Sequence, residues 1–247
     1  MTLSLSELLL KLKHQDSFFP LLGNDFVQRD FCSINLSIYS PIIDLKAVQT
    51  YDGLDKFIKS NLQSNHAKVS VGGYLEKRAL YRPSTNFKND AEERDIHLGV
   101  DFWSDALTPI YAPLDGIIHS FQYNDAHLDY GATIILQHQL EDSVFYTLYG
   151  HLTLASINNL KKGMSIKKGI PFTAMGKHHE NGGWVPHLHF QVIKDMLGKE
   201  GDFPGVASEK EIDFYSNNCP DPNIITCLLY TSPSPRDQRG SRMPSSA

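Results

Sequence analysis

The sequence predicts a mainly β protein, with an antiparallel-sheet core over residues 71–200 and a small α+β region over residues 1–70. Three observations carry this. Between about 71 and 197, short runs rich in β-branched and aromatic residues are separated by Gly, Pro, Asn and Asp, as strands joined by turns should be. Several of these runs alternate apolar and polar residues with period two, the signature of a strand. Helical spacing occurs in two stretches ahead of residue 70.

Taken in order, "ELLLKLK" carries Leu8, Leu9 and Leu12 on one helical stripe, with Ser6 as the expected N-cap. "FCSINLSIY" (31–39) reads as a strand, and Cys32 within it as a buried thiol. "YDGLDKFIKSNLQSN" (51–65) reads as a helix. The core strands are expected in "IHLGVDFW" (96–103), "IYAPLDGIIHSFQY" (110–123), "GATIILQHQL" (131–140), "VFYTLYGHL" (144–152), "IPFTAMG" (170–176) and "HLHFQVI" (187–193). Residues 201–226, with Pro204, Pro220 and Pro222, form a loop-rich trailing segment. The Ser/Pro/Arg-rich end, 227–247, is predicted to be disordered. Its "CLLYTSPSPRD" resembles a translated sequencing adapter. On that reading Cys227 and the tail are non-native, and a further C-terminal domain has been lost by truncation.

Composition narrows the function classes. The chain is 41% hydrophobic and 21% charged, ordinary for a globular protein. A net charge of −5 with dispersed Lys and Arg leaves no footprint for nucleic acid. No apolar run approaches the roughly 18 residues a transmembrane span needs. The N-terminus lacks a basic leader and a small-residue cleavage site, which predicts a cytoplasmic location, or the cell envelope if export takes another route. Three widely spaced cysteines make neither a disulfide framework nor a C-x-x-C zinc motif.

The chemistry-bearing residues concentrate in three runs. In "PHLHFQV" (186–192), His187, His189 and Gln191 alternate with Leu188, Phe190 and Val192, so a half-buried strand would show both imidazoles on one face. In "IHLGVDFW", His97 and Asp101 share a face with only Gly99 between them. That leaves open space where an ion could sit, although H-x-x-x-D would also align two side chains on a helix. In "FYTLYGHL", Thr147, Tyr149 and His151 fall on one face. Three ligands drawn from His and Asp, with an open fourth position for water, are the pattern of catalytic zinc. The remaining histidines would serve proton transfer beside it. Surface histidine pairs are the plainer alternative.

H-x-G-x-D, then Y-G-H-L, then H-L-H-F, in that order, resembles the lysostaphin/LytM-type zinc endopeptidases. The resemblance covers roughly residues 72–195 and extends to "TPIYAPLDGIIHS" and "LKKGMSIKKGIPFTAMG". It implies a two-layered antiparallel β-sheet or hybrid-barrel catalytic core and one Zn2+ per chain. It also implies a peptide or peptidoglycan substrate. His97, Asp101 and His189 correspond to the metal ligands, and His151 and His187 to the catalytic pair. The chain departs from the family in the loop "GKHHENGGWVP" (176–186), whose His178 and His179 are expected to be exposed, and in lacking an export signal. Two other readings are a metal-dependent cell-wall or peptide-binding module without turnover and a paired-histidine phosphotransfer domain. Asp101 argues against the latter, because a phosphohistidine carrier needs no carboxylate there. His119, His127 and His138 are expected at the surface. Trp103, Tyr149 and Trp184 are expected either at the groove or in the core.

Overall fold

The computed structural model describes residues 4–15, 17–81, 88, 89 and 92–226. The reading of 227–247, Cys227 included, lies outside the described residues. The elements in chain order are α1 (Leu5–His14), β1 (Phe31–Ser33), α2 (Tyr51–Ser64), β2 (Val69–Gly72), β3 (Lys88–Asn89), β4 (Glu92–Glu93), β5 (Ile96–His97), β6 (Val100–Trp103), β7 (Pro109–Tyr111), β8 (Gly116–Asn124), β9 (Gly131–Leu140), β10 (Ser143–Leu152), β11 (Ser165–Ile166), β12 (Pro171–Ala174), β13 (His187–Ile193), β14 (Val206–Ala207), α3 (Ile212–Asn218) and α4 (Asn223–Thr226).

The protein is mainly β. Its large sheet runs β1-β2-β6-β13-β10-β9-β8-β11, antiparallel throughout except for the parallel pair β1–β2. Among the described residues the sheet is open, with β1 and β11 as its edges, so the expected barrel does not close. Two-stranded ribbons β7–β12 and β5–β14 accompany it.

Helix α1 starts earlier than expected. Ser4, not Ser6, is its N-cap, because Ser4-Leu5-Ser6-Glu7 forms a capping box. The Ser4 backbone N–H donates to the Glu7 carboxylate at 2.7 Å, and the Glu7 N–H donates back to the Ser4 hydroxyl. Helix α2 matches its expected span, and the Thr50 hydroxyl caps it by accepting the Gly53 N–H. The strand expected over 31–39 stops at Ser33. Asn35 then turns the chain by accepting the Ser37 N–H on its side chain.

The central strands are covered on both faces, so β6 and β13 are buried along their whole length. On one face Val100, Phe102, Leu188, Phe190 and Tyr149 pack with Ile110 of β7 and with Leu5 and Leu9 of α1. On the other, Ile135, Leu148 and Ile193 pack with Phe203, Ala207 and Cys219. Residues 201–226, read as loop-rich, thus contribute β14, α3, α4 and fully buried core side chains. Helix α2 sets Leu54 and Ile58 into a third cluster with Leu80, Trp103 and Trp184. Cys32 is buried, as expected.

Candidate metal centre

"IHLGVDFW" is not one continuous strand. It breaks at Leu98–Gly99 into β5, which pairs with β14, and β6, which pairs with β13 and β2. Leu98 consequently packs with Tyr130 and Phe203 rather than beside Val100 and Phe102. The break folds His97 back over β6, and the space above Gly99 is not left for an ion. It is taken by the His189 ring, whose Cε1 would lie 2.5 Å from a Cβ at position 99. Gly99 is a close-approach glycine.

Strand register does the rest. Asp101 stands directly opposite His189 in the β6–β13 pair, and Gly150 opposite His189 on the β10 side. His97 Nε2 lies 2.9 Å from His189 Nδ1 and 3.2 Å from Asp101 Oδ1; His189 Nδ1 lies 3.2 Å from the same oxygen. Ligand atoms bound at 2.0–2.2 Å to one zinc must lie roughly 3–4 Å apart, and this triangle meets that test. All three residues are buried.

The hydrogen bonds fix which nitrogens are free. His97 Nδ1 donates to the Gly73 carbonyl at 2.9 Å, leaving Nε2 for the triangle. His189 Nε2 donates to the Gln191 Oε1 at 3.0 Å, leaving Nδ1. Gln191 is itself oriented, because its Nε2 donates to the Pro204 carbonyl. Partners of this kind hold the ring orientation that a ligand needs. Burial and the Arg78 charge bring His97 down to about 4, so the ring is neutral near pH 7. Burial alone would raise Asp101, but His97 and Arg78 hold it well below the usual carboxylate range. Two imidazoles and a carboxylate are a donor set that fits zinc.

The second pair lies beside this triangle. Period-two alternation puts His151 on the face of Thr147 and Tyr149, and there the structure departs from the sequence pattern. The β10–β9 register shifts between Tyr149 and Leu152, and His151 has φ +63°. This left-handed residue in a bulge turns the imidazole to the opposite face. Tyr149 stays in the core against Phe172 and Phe190. His151 instead meets His187, with ring centroids 4.1 Å apart, and lies 6.3 Å from His189. His151 Nδ1 donates to the Asn181 carbonyl and His187 Nδ1 to the Val185 carbonyl, so both present Nε2 as a free acceptor. Trp103 stacks on His187 at 4.0 Å. Burial pushes His187 down to about 4, and burial together with His187 holds His151 well below the usual histidine range.

These shifts predict a pH dependence. A buried histidine with a lowered pKa favours the folded state above its unfolded value near 6.5, and that contribution is lost as pH falls toward 4. The melting temperature of metal-free protein should therefore fall steeply from pH 6.5 to 4. His187→Gln should flatten the slope, and an unchanged slope would show that the ring is not held neutral.

Both sets face a cleft walled by Leu80, Tyr81, Leu128, Trp184 and Val206. Trp103 and Trp184 line it, whereas Tyr149 does not. His178, His179 and His127 are exposed, as expected. His138 is a correction: it is buried, with its ring nitrogens bonded to the Asp115 carbonyl and the Thr147 hydroxyl. The pattern reading also missed Arg78, which bonds Asp101, and Glu76 behind it. Gln191 was visible as the third member of the His187/His189 series. Glu76 and Arg78 carried no signal.

The buried His-Asp-His triangle supplies three donor atoms that could hold one metal ion, with two neutral imidazoles beside it in the cleft. Residues 95–201 match the model of Peptidase family M23. An "Uncharacterized metalloprotease" of Haemophilus influenzae is 33% identical over 95 residues, which are 38% of this chain and 18% of that protein. The chain therefore spans under a fifth of that relative. Among solved structures, a zinc-containing peptidase from Vibrio cholerae is 29% identical, with TM-score 0.33 over 42% of this chain and 29% of its own. The catalytic domain of lysostaphin from Staphylococcus simulans is 25% identical, with TM-score 0.34 over 49% and 80%.

Proposed function

We propose that the protein is a zinc-dependent endopeptidase that hydrolyses a peptide bond in peptidoglycan cross-links or a related peptide. The observation that carries this reading is the adjacency of two chemically distinct sets: a triangle of ligand atoms 2.9–3.2 Å apart and a histidine pair at 4.1 Å with free Nε2 atoms on the same cleft. Bound at the triangle, zinc would supply a Lewis acid for the scissile carbonyl and an acidified water as nucleophile.

The chain's own residues supply the rest. His151 and His187, held neutral by burial, offer Nε2 to the proton of the attacking water. Each ring is kept in that tautomer by the carbonyl at its Nδ1. Once one imidazole has taken the proton, its neighbour 4.1 Å away opposes a second positive charge. The pair thus carries one proton at a time, to be passed to the leaving amine. The protonated ring also donates a hydrogen bond to the oxygen on which negative charge develops. The apolar wall of Leu80, Leu128, Trp184 and Val206 excludes water and strengthens these interactions.

The test joins metal analysis of the purified chain to digestion of isolated peptidoglycan and of short cross-bridge peptides. About one zinc per chain is expected, with release of new amino termini that stops on chelation and returns with zinc. Stoichiometric zinc without cleavage of any of these substrates would replace the enzyme by a binding module.

A further inference from the structure

Just before the matched residues, "GGYLEKR" (72–78) wraps the metal centre. The Gly73 carbonyl accepts His97 Nδ1, the Glu76 carbonyl accepts the His97 N–H at 2.9 Å, and the His97 carbonyl accepts the Leu75 N–H at 2.8 Å. From the same segment the Arg78 side chain, 1% exposed, reaches Asp101: Nη1 donates to Oδ2 at 2.5 Å. Its Nε donates to Glu76 Oε2 at 2.6 Å, and Glu76 Oε1 accepts the Leu36 N–H at 2.9 Å. Gly72 faces Asp101 across β2–β6.

We propose that Arg78 is a positioning residue that makes Asp101 a one-oxygen metal ligand, with Glu76 locking the guanidinium in place. The proposal rests on the reading of His97, Asp101 and His189 as ligands. A carboxylate with both oxygens free can chelate an ion through both. Here Oδ1 faces the two imidazole nitrogens at 3.2 Å, while Oδ2 is turned away onto Arg78. Holding Oδ2 keeps the ligand count at three and the fourth position open for water. Arginine suits this because its rigid, permanently charged fork can bond Glu76 through Nε and Asp101 through Nη1 at once; lysine offers only a point charge. Through the Leu36 N–H, the N-terminal region becomes a support of the metal site.

The test uses the full chain and two readouts that a purely structural role would not move. Zinc affinity is measured by competition with a chromophoric chelator, and coordination by the visible absorption of the Co2+-substituted protein. The variants are Arg78→Lys and Glu76→Gln/Arg78→Met; the double variant avoids leaving the Glu76 carboxylate buried without its Arg78 partner. Zinc binding should weaken about 10- to 100-fold in the double variant, with a smaller loss in Arg78→Lys. The intense tetrahedral Co2+ bands should fade as Asp101 engages through both oxygens. A folded double variant with wild-type zinc affinity and the wild-type Co2+ spectrum overturns the proposal. If the double variant does not fold, Arg78→Lys decides by the same two readouts. His97→Ala separates the two readings: full zinc retention there removes the ligand assignment itself rather than the role of Arg78.

Discussion

Replacing any one of His97, Asp101 and His189 by alanine is expected to remove most of the bound zinc and, with it, peptide hydrolysis. Each residue supplies one corner of a triangle whose edges are 2.9–3.2 Å, and two remaining donors do not hold zinc against solvent. The three variants should differ in stability. Removing Asp101 leaves the buried Arg78 charge facing an empty place, which is more costly than losing a neutral ring. Gly99→Ala should mimic ligand loss without deleting a donor. The new Cβ would meet His189 Cε1 at 2.5 Å and the Phe190 carbonyl at 2.8 Å, so the ring must leave the triangle. Metal analysis after desalting reads all four. Full zinc in all three alanine variants would end the ligand assignment.

The second large effect concerns the proton-handling pair. His187→Ala, and at the left-handed position His151→Asn, should keep zinc and fold while lowering the cleavage rate by roughly 10²-fold or more. Asparagine is the cleaner choice at 151 because it tolerates φ +63° better than alanine. Both rings lie outside the triangle, so zinc content should stay at the wild-type level. A wild-type rate in either variant would remove that residue from the mechanism, and loss of zinc would move it into the metal shell.

Much of the site was legible because strand pattern and chemistry coincide. "HLHFQVI" is β13, with His187 and His189 as same-face residues, and Asp101 meets His189 by simple antiparallel register. The pattern was weaker where the backbone leaves regularity. Alternation put His151 beside Tyr149, since a period-two rule has no place for a bulge. It made one strand of 96–103, where Gly99 breaks the chain in two. It read β13 as half-buried and His138 as exposed, because periodicity within one strand says nothing about what covers its second face.

The amino-acid sequence by itself determined the mainly β class, the succession of core strands along the chain and the five candidate site residues. Each of these is written in local composition and spacing, where side-chain alternation follows from the pleat. Only the tertiary structure decided that the His189 ring fills the space above Gly99, that a positive φ brings His151 to His187, and that Arg78 and Glu76 stand behind Asp101. These depend on contacts between segments far apart in the chain. Arg78 and Asp101 are separated by 23 positions, and no local pattern can encode which buried charge finds which partner once the sheet has closed over both.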